Sequence, residues 1–316
     1  MKTTQAQGWP RVAVLGAGAV GSFFGGLLAQ AGAPVTLIGR PQHVEAINRD
    51  GLIIEGANFT EPIRVAASTE VRAAAGAGMV LFCVKTLDTE TAAKALAPQL
   101  APGALVLSCQ NGVDNCERIR KATGIEAIAT AVYVAVGMSG PGRVKHFGRS
   151  EFVIGNLPGQ RRSRKELESL VEVFKRATIG CTISENLEGE LWAKFILNCA
   201  YNAISALTRS PYAAMTAHPQ VRAIMCQAAA EVAAVASAAG VRLPPGDPIE
   251  FTLRLADSMP GQMSSTALDI ARGRATEIDS LNGYLVRRSR ELGVPTPVNE
   301  TLHALVKLLE QNAVAK

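Results

Sequence analysis

Aromatic residues are scarce in this chain, 5% of 316 residues, and they are not interleaved with basic side chains. A nucleic-acid surface, which needs a basic face with stacking platforms, is therefore not expected. The net charge of +5 and a pI of about 9.0 are only mildly basic, enough to help draw in anionic ligands. The densest basic run, RRSRK at 161–165, leads straight into KELESLVEVFKR and reads as a solvated helix start. The sequence also lacks a C-x-x-C and any Cys/His spacing of a metal site, although Cys occurs at 83, 109, 116, 181, 199 and 226. Several of these lie in apolar runs such as FCV and LSC, where a thiol behaves as a small hydrophobe. Reduced thiols in a cytoplasmic protein are the expectation, with no metal.

Charge is absent from Val12 through Gly39. A secretory or membrane segment would share that absence, and AQAGA resembles a signal-peptidase site. The run also holds seven Gly and one Pro. A strand–turn–helix–strand reading accounts for all of them, so no membrane partner is expected.

What is present is alternation. RVAVLG (11–16), PVTLIGR (34–40), MVLFCVK (79–85) and ALVLSCQ (104–110) are short apolar runs separated by helical stretches such as AVGSFFGGLLAQAG and AKALAPQL. That order indicates βαβ units and a mainly parallel sheet. Segments 127–136 and 143–154 read as further strands with Gly turns. After about residue 185 the texture changes to long helical patterns at 188–207, 219–239, 248–257, 264–272, 277–292 and 298–312, with no fixed-period repeat. The Ala-rich pattern at 219–239 suits packing on its own domain or on a second subunit, which leaves a homodimer open.

Gly16-Ala17-Gly18-Ala19-Val20-Gly21 is a G-x-G-x-x-G that follows an apolar strand and opens a helix, the context that gives this motif its meaning. The first Gly permits the tight turn, the second lets a pyrophosphate approach the backbone, and the third lets helix pack on sheet. A helix N-terminus supplies free N–H groups and a favourable dipole for that anion. NAD-binding proteins usually place an acid on the ribose about 20 residues later. Here no acid occurs from Ser22 through Val44, and the second strand ends Ile38-Gly39-Arg40. A guanidinium there suits a 2′-phosphate, so NADPH is the expected cofactor. Lys85 and Asn111 follow the next two apolar runs, at the sheet edge where ligands of such folds lie; each also reads as an ordinary turn residue. The expected fold is α/β, an N-terminal Rossmann-type parallel-sheet domain over 1–184 followed by an all-helical C-terminal domain over 185–316.

LWAKFILNCAYNAISAL (191–207) has no Pro or Gly and reads as a buried helix. Lys194, Asn198 and Asn202 stand four apart and form one polar stripe on it. Burying an ammonium and two carboxamides is costly unless each finds a partner.

With these features the chain resembles the ketopantoate reductase family. The blocks that carry the resemblance are VAVLGAGAVG, ELWAKFILNCAYNAISALT and SSTALDIARGRATEIDSLNGYLVRRSRELGVPTP, and it continues to VPTPVNETL. It implies NADPH-dependent reduction of the 2-oxo acid ketopantoate, a small-molecule substrate, to pantoate. Lys194 matches the family's catalytic lysine, Asn198 and Asn202 its substrate asparagines, Ser265 a substrate-binding serine and Glu277 a catalytic-site glutamate. Asn111 matches the asparagine of an NG turn near nicotinamide and substrate; Arg40 and Lys85 match NADPH contacts, and Glu277 is also counted beside the cofactor. Gln262 departs from the pattern, since the family can carry Asn there as a substrate ligand, and the first eleven residues precede the usual start.

Hydride arriving at a ketone carbon leaves negative charge on its oxygen. A lysine, protonated by default at neutral pH, stabilises that oxygen and then protonates it. His43, His146, His218 and His303 lie away from these blocks and read as structural or surface residues. Glu277 is expected to open a helix with Thr276 as its cap, and either balances Lys194 or obeys the helix dipole. The active site is expected in a cleft between the sheet's carboxyl edge and helix 188–207. Two rivals keep the same residues: reduction of another 2-oxo acid, and a non-catalytic NADPH-binding regulator. A third reads the stripe as an interhelical seam, with Lys194 paired to Glu190.

Overall fold

The structure, a computed structural model, describes residues 8–56 and 61–314. Of the eleven residues ahead of the first strand, 1–7 lie outside the described residues. The chain divides into two compact units, Met1–Leu187 and Glu188–Lys316.

The first unit runs β1 (Val12–Leu15), α1 (Ala19–Gln30), β2 (Val35–Ile38), α2 (Pro41–Asp50), β3 (Ile53–Glu55), β4 (Ala66–Ser68), β5 (Met79–Phe82), α3 (Thr89–Leu96), β6 (Leu105–Ser108), α4 (Asn115–Thr123), β7 (Ile128–Gly140), β8 (Arg143–Ile154), α5 (Arg164–Arg176) and β9 (Gly180–Ile183). The sheet has the order β3-β8-β7-β6-β5-β1-β2-β4, with β9 beside β8. Pairing is parallel throughout except for the β7–β8 hairpin. β1 and β5 are buried at every residue, which is why strands of a parallel sheet covered on both faces read as continuous apolar runs. The apolar run of 12–39 is thus a strand, a helix and a strand. RRSRK enters α5 through a capping box between Ser163 and Glu166.

The ladder is shorter than the apolar runs. β5 stops at Phe82 and β6 at Ser108, which pair with each other in register. Lys85 and Asn111 therefore stand equally far beyond the last rung, in the loops rather than on the strands.

Helix α6 (Leu187–Thr208) leads into the second unit, followed by α7 (Tyr212–Ala217), α8 (Pro219–Ala238), α9 (Pro248–Ser258), α10 (Ser265–Ala271), α11 (Asn282–Leu292) and α12 (Pro297–Val314). Tyr284 of α11 packs edge-on against Trp192 and Phe195 of α6. α8 is long and apolar enough to cross a membrane by composition alone. It packs against α7, α9, α11 and α12, and its Glu231 accepts hydrogen bonds from the N–H groups of Val298 and Asn299. That is the packing of one helix against its neighbours in a helical bundle.

One expected element is corrected. The pattern at 277–292 is not one helix: a 3-10 turn covers Ile278–Ser280, Leu281 breaks the path at φ −104° and ψ −105°, and α11 begins at Asn282. The Thr276 hydroxyl accepts the Ile278 N–H at 3.1 Å, so it caps the 3-10 turn. Glu277 precedes that turn and does not sit in the first turn of an α-helix.

Candidate active site

The glycines of the first turn serve different ends. Gly16 has φ +107°, and a Cβ there would lie 2.6 Å from the backbone of Cys83 and Val84. A Cβ on Gly21 would meet the Gly16 carbonyl oxygen at 2.2 Å. Both positions are filled by the protein itself. Gly18 caps α1 without a side-chain bond, and a Cβ there meets nothing within 4 Å among the described residues. The first helical acceptor is Gly18 O, which takes the Ser22 N–H at 2.9 Å. The amides of Ala19, Val20 and Gly21 therefore open from the helix end. Gly16, Gly18, Ala19 and Val20 are partly exposed, while Ala17 and the residues from Gly21 to Leu28 are buried. A pyrophosphate fits this cradle: the space is open at Gly18, and the amides and dipole favour an anion.

Arg40 is exposed, directly after β2 and Gly39, and its carbonyl starts α2 by accepting from His43 N and Val44 N. Its side chain is available for a phosphate at the β2 end. Lys85 and Asn111 are both half-buried. The Asn111 carbonyl accepts the Asn115 side-chain amide at 2.7 Å and the Thr86 hydroxyl at 3.2 Å.

In the second unit the stripe is the opening in α6. From Leu191 to Ala206 every residue is buried except Lys194 and Asn198. Asn202 continues the line and is 3% exposed. The Nδ2 groups of Asn198 and Asn202 are buried and meet no acceptor among the described residues. Leaving such donors unpaired costs about 1–3 kcal/mol each, a cost that ligand oxygens placed against them would offset.

Gln262, Ser264 and Ser265 form the approach to α10. Ser265 is exposed. Ser264 is fully buried, caps the helix through Ala267 N–H and donates to the Asn202 carbonyl at 3.1 Å. The Gln262 side chain donates to the neighbouring Met263 carbonyl at 2.8 Å. Glu277 is half-exposed between buried Thr276 and Ile278. Its segment is tied to α12, because Thr276 donates through N–H and hydroxyl to Glu310.

Three of the four histidines have partners that sequence spacing does not show. His303 contacts the Asp279 carboxylate at 2.7 Å. His146 stacks on Phe23, and buried His43 accepts the Gly142 N–H. All six cysteines are free. Burial pushes the Cys116 thiol up to about 12, which makes it inert rather than nucleophilic. Ser264 and the polar residues under Asn111 carry no motif; only tertiary pairing reveals them.

Residues 12–159 match the family model Ketopantoate reductase PanE/ApbA, and residues 186–310 match its C-terminal companion. A 2-dehydropantoate 2-reductase from Pyrococcus horikoshii is 34% identical, covering 95% of this chain and 97% of that protein. A PanE/ApbA family ketopantoate reductase from Ralstonia eutropha JMP134 has a solved structure that superposes with a TM-score of 0.88 at 48% identity, over 96% of this chain and 99% of the other. A D-mandelate dehydrogenase solved with NADH and anilino(oxo)acetate shares the fold, at 24% identity, 96% and 98% coverage and a TM-score of 0.88. Two family models that together match most of the chain, and a relative 34% identical over nearly its whole length, show that the chain belongs to the ketopantoate reductase family.

Proposed function

We propose that this protein reduces 2-dehydropantoate (ketopantoate) to pantoate with NADPH, as a soluble cytoplasmic enzyme on the route to pantothenate and coenzyme A. The observation that carries the reading is the α6 stripe: two buried, unpartnered amide donors in line with a half-buried lysine. Pantoate presents a carboxylate and a distal hydroxyl, which such donors satisfy.

The reading assigns the cofactor to the first unit and the substrate to the second. Gly16 to Gly21 would hold the pyrophosphate, Arg40 the 2′-phosphate, and Lys85 and Asn111 the nicotinamide side. Bound NADPH supplies the hydride that reaches the ketone carbon. Lys194 stabilises the developing alkoxide oxygen and delivers its Nζ proton to it. Asn198, Asn202 and Ser265 orient the substrate, which fixes the ketone beside that donor. Glu277 supplies a carboxylate to balance Lys194. A regulator needs nucleotide contacts but no proton donor, so Lys194 and Glu277 favour turnover. The homodimer expectation rests on α8, whose outer face leaves Ile224 40% exposed; light scattering tests it.

The deciding experiment follows absorbance at the NADPH band with ketopantoate as substrate, then repeats it with NADH. Turnover with preference for NADPH is expected. No oxidation with ketopantoate beside rapid oxidation with another 2-oxo acid moves the assignment to the broader class.

A further inference from the structure

A chain of buried polar groups lies beneath the turn that carries Asn111. The Ser108 hydroxyl donates to Gln110 Oε1 at 3.0 Å. Gln110 Nε2 donates to the Thr89 hydroxyl at 2.8 Å and to the Val84 carbonyl at 3.1 Å. The Thr89 hydroxyl donates to Asn115 Oδ1 at 3.2 Å, and Asn115 Nδ2 donates to the Asn111 carbonyl at 2.7 Å. The Thr86 hydroxyl reaches the same carbonyl at 3.2 Å. All five side chains are buried.

The chain has a direction, since each member accepts from the one before it and donates to the next. Hydrogen bonds in such a series polarise one another. A matched apolar replacement of buried polar partners is often near neutral for stability, so stability alone does not call for five polar side chains here. What they fix is geometry. Lys85 lies between Val84, whose carbonyl Gln110 holds, and Thr86, whose hydroxyl bonds Asn111. The relay thus couples the loop after β5 to the loop after β6. The trans Asn111–Gly112 peptide carries its N–H opposite its carbonyl. Turning that carbonyl onto Asn115 and Thr86 turns the Gly112 N–H away from the relay.

We infer that Gln110, Thr89 and Asn115 are positioning residues that set Lys85 and Asn111 for the cofactor's nicotinamide side. The inference rests on the NADPH-dependent reading above. Gln110 and Asn115 act through the Val84 and Asn111 carbonyls they hold, and Thr89 joins their two side chains. Thr89 is the test position, because valine keeps its shape while breaking the relay in the middle and serine keeps the hydroxyl.

The full-length protein and its Thr89→Val, Thr89→Ser and Ser108→Ala variants are compared by NADPH fluorescence titration, kcat with ketopantoate and thermal melting. Thr89→Val is expected to raise the NADPH Kd and lower kcat, each about tenfold, the size of one lost hydrogen bond. Thr89→Ser is expected to stay within about twofold of the unaltered protein. Ser108→Ala removes only the far end of the relay, and about a threefold change in the same direction is expected. A Thr89→Val protein with lowered melting temperature but unchanged Kd and kcat overturns the inference, as does a serine variant as impaired as the valine one. If Thr89→Val does not fold, Ser108→Ala decides, and unaltered Kd and kcat there overturn it. An unaltered protein that binds no NADPH overturns the functional reading and the inference together. One that binds NADPH equally with and without the relay overturns the inference alone.

Discussion

The hydroxyl of Ser264 donates to the backbone carbonyl of Asn202 at 3.1 Å. Its oxygen also accepts the Ala267 N–H at 3.0 Å, and its own N–H reaches the Ser205 hydroxyl at 3.2 Å. One buried residue therefore caps α10 and fastens it to the polar line of α6, with exposed Ser265 next to it. Ser264→Ala is expected to lower stability by about 1–2 kcal/mol through the lost cap and to raise KM for ketopantoate more than for NADPH. Ser265→Ala is expected to leave the melting temperature alone and raise KM for ketopantoate. An unchanged KM in Ser265→Ala removes that residue from the substrate site.

Gly16 and Gly18 separate folding from binding. Alanine at Gly16 faces φ +107° and a 2.6 Å approach to the Cys83 backbone, so Gly16→Ala is expected to destabilise the first unit by about 3 kcal/mol or more. Gly18 has φ −83° and ψ −163°, which any residue adopts, and open space at its Cβ. Gly18→Ala is expected to melt normally and lose NADPH affinity, because the methyl fills the path of the pyrophosphate. Isothermal titration together with melting checks both; normal NADPH binding by Gly18→Ala excludes this cradle.

Lys194 lies half-buried among residues that are otherwise buried. Lys194→Ala is expected to fold, since alanine favours helix, while kcat drops on the order of 10²–10³ as a transition-state donor is lost. Near-normal kcat rejects the proton-donor role. A collapsed fold points to a structural seam instead.

The sequence makes the βαβ core legible because strands buried on both faces read as unbroken apolar runs. Their ends are less legible: Cys83, Val84 and Cys109 stay apolar past the last rung, so Lys85 and Asn111 read as strand-end residues. β3 and β4 span only Ile53–Glu55 and Ala66–Ser68, too short for an alternation to register. The 277–292 pattern reads as one helix because a 3-10 turn and an α-turn place apolar residues at similar spacings. The stripe is readable since Lys194, Asn198 and Asn202 stand alone on an apolar helix. Thr86, Thr89, Ser108, Gln110 and Asn115 are common polar residues whose meeting depends on two strand ends and two helices, and no local pattern announces it.

Asp279 also ties the Glu277 segment to α12. His303 and Lys307 contact its two carboxylate oxygens at 2.7 and 2.8 Å, and Lys307 also reaches Glu310 at 2.9 Å. Burial pushes the Asp279 carboxyl up, but Lys307 and His303 outweigh it and hold it below its ordinary value. Glu310 is likewise lowered, against burial, by Thr276 and Lys307. Asp279 and Glu310 raise the Lys307 ammonium above its usual value. Depressed carboxylates stabilise the fold above their unfolded values near about 4 and lose that contribution as pH falls through the folded values. The raised lysine contributes fully below about 10.5 and fades only above it. Asp279→Asn is therefore expected to be less stable than the unaltered protein at pH 7, by about 0.5–1 kcal/mol after solvent screening. The gap should narrow as pH drops below about 4. A gap that stays constant from pH 7 to pH 3 shows that the carboxylate's charge is not what binds the segment.

On the proposed function, substrate choice is expected to turn on the distal hydroxyl. Pantoate differs from simple 2-hydroxy acids in that hydroxyl and in a bulky quaternary carbon. Asn198 and Asn202 both carry buried, unpartnered amide donors, and on the proposed reading one meets the carboxylate and the other the distal hydroxyl. The Gln262 amide donates to the Met263 carbonyl, and the α6 pair and Ser265 are the partners proposed for the hydroxyl. A site built to bond a hydroxyl rejects the analogue that lacks it by up to about 10⁴–10⁵, because each donor left unpaired costs about 1–3 kcal/mol. 2-Oxo-3,3-dimethylbutyrate keeps the bulk without the hydroxyl, and its kcat/KM is expected to be far below that of ketopantoate. Asn202→Ala should narrow the gap by weakening ketopantoate selectively. Equal kcat/KM for the two compounds in the unaltered enzyme would sink the ketopantoate assignment and favour a broader 2-oxo-acid reductase, with Gln262 the first position to substitute.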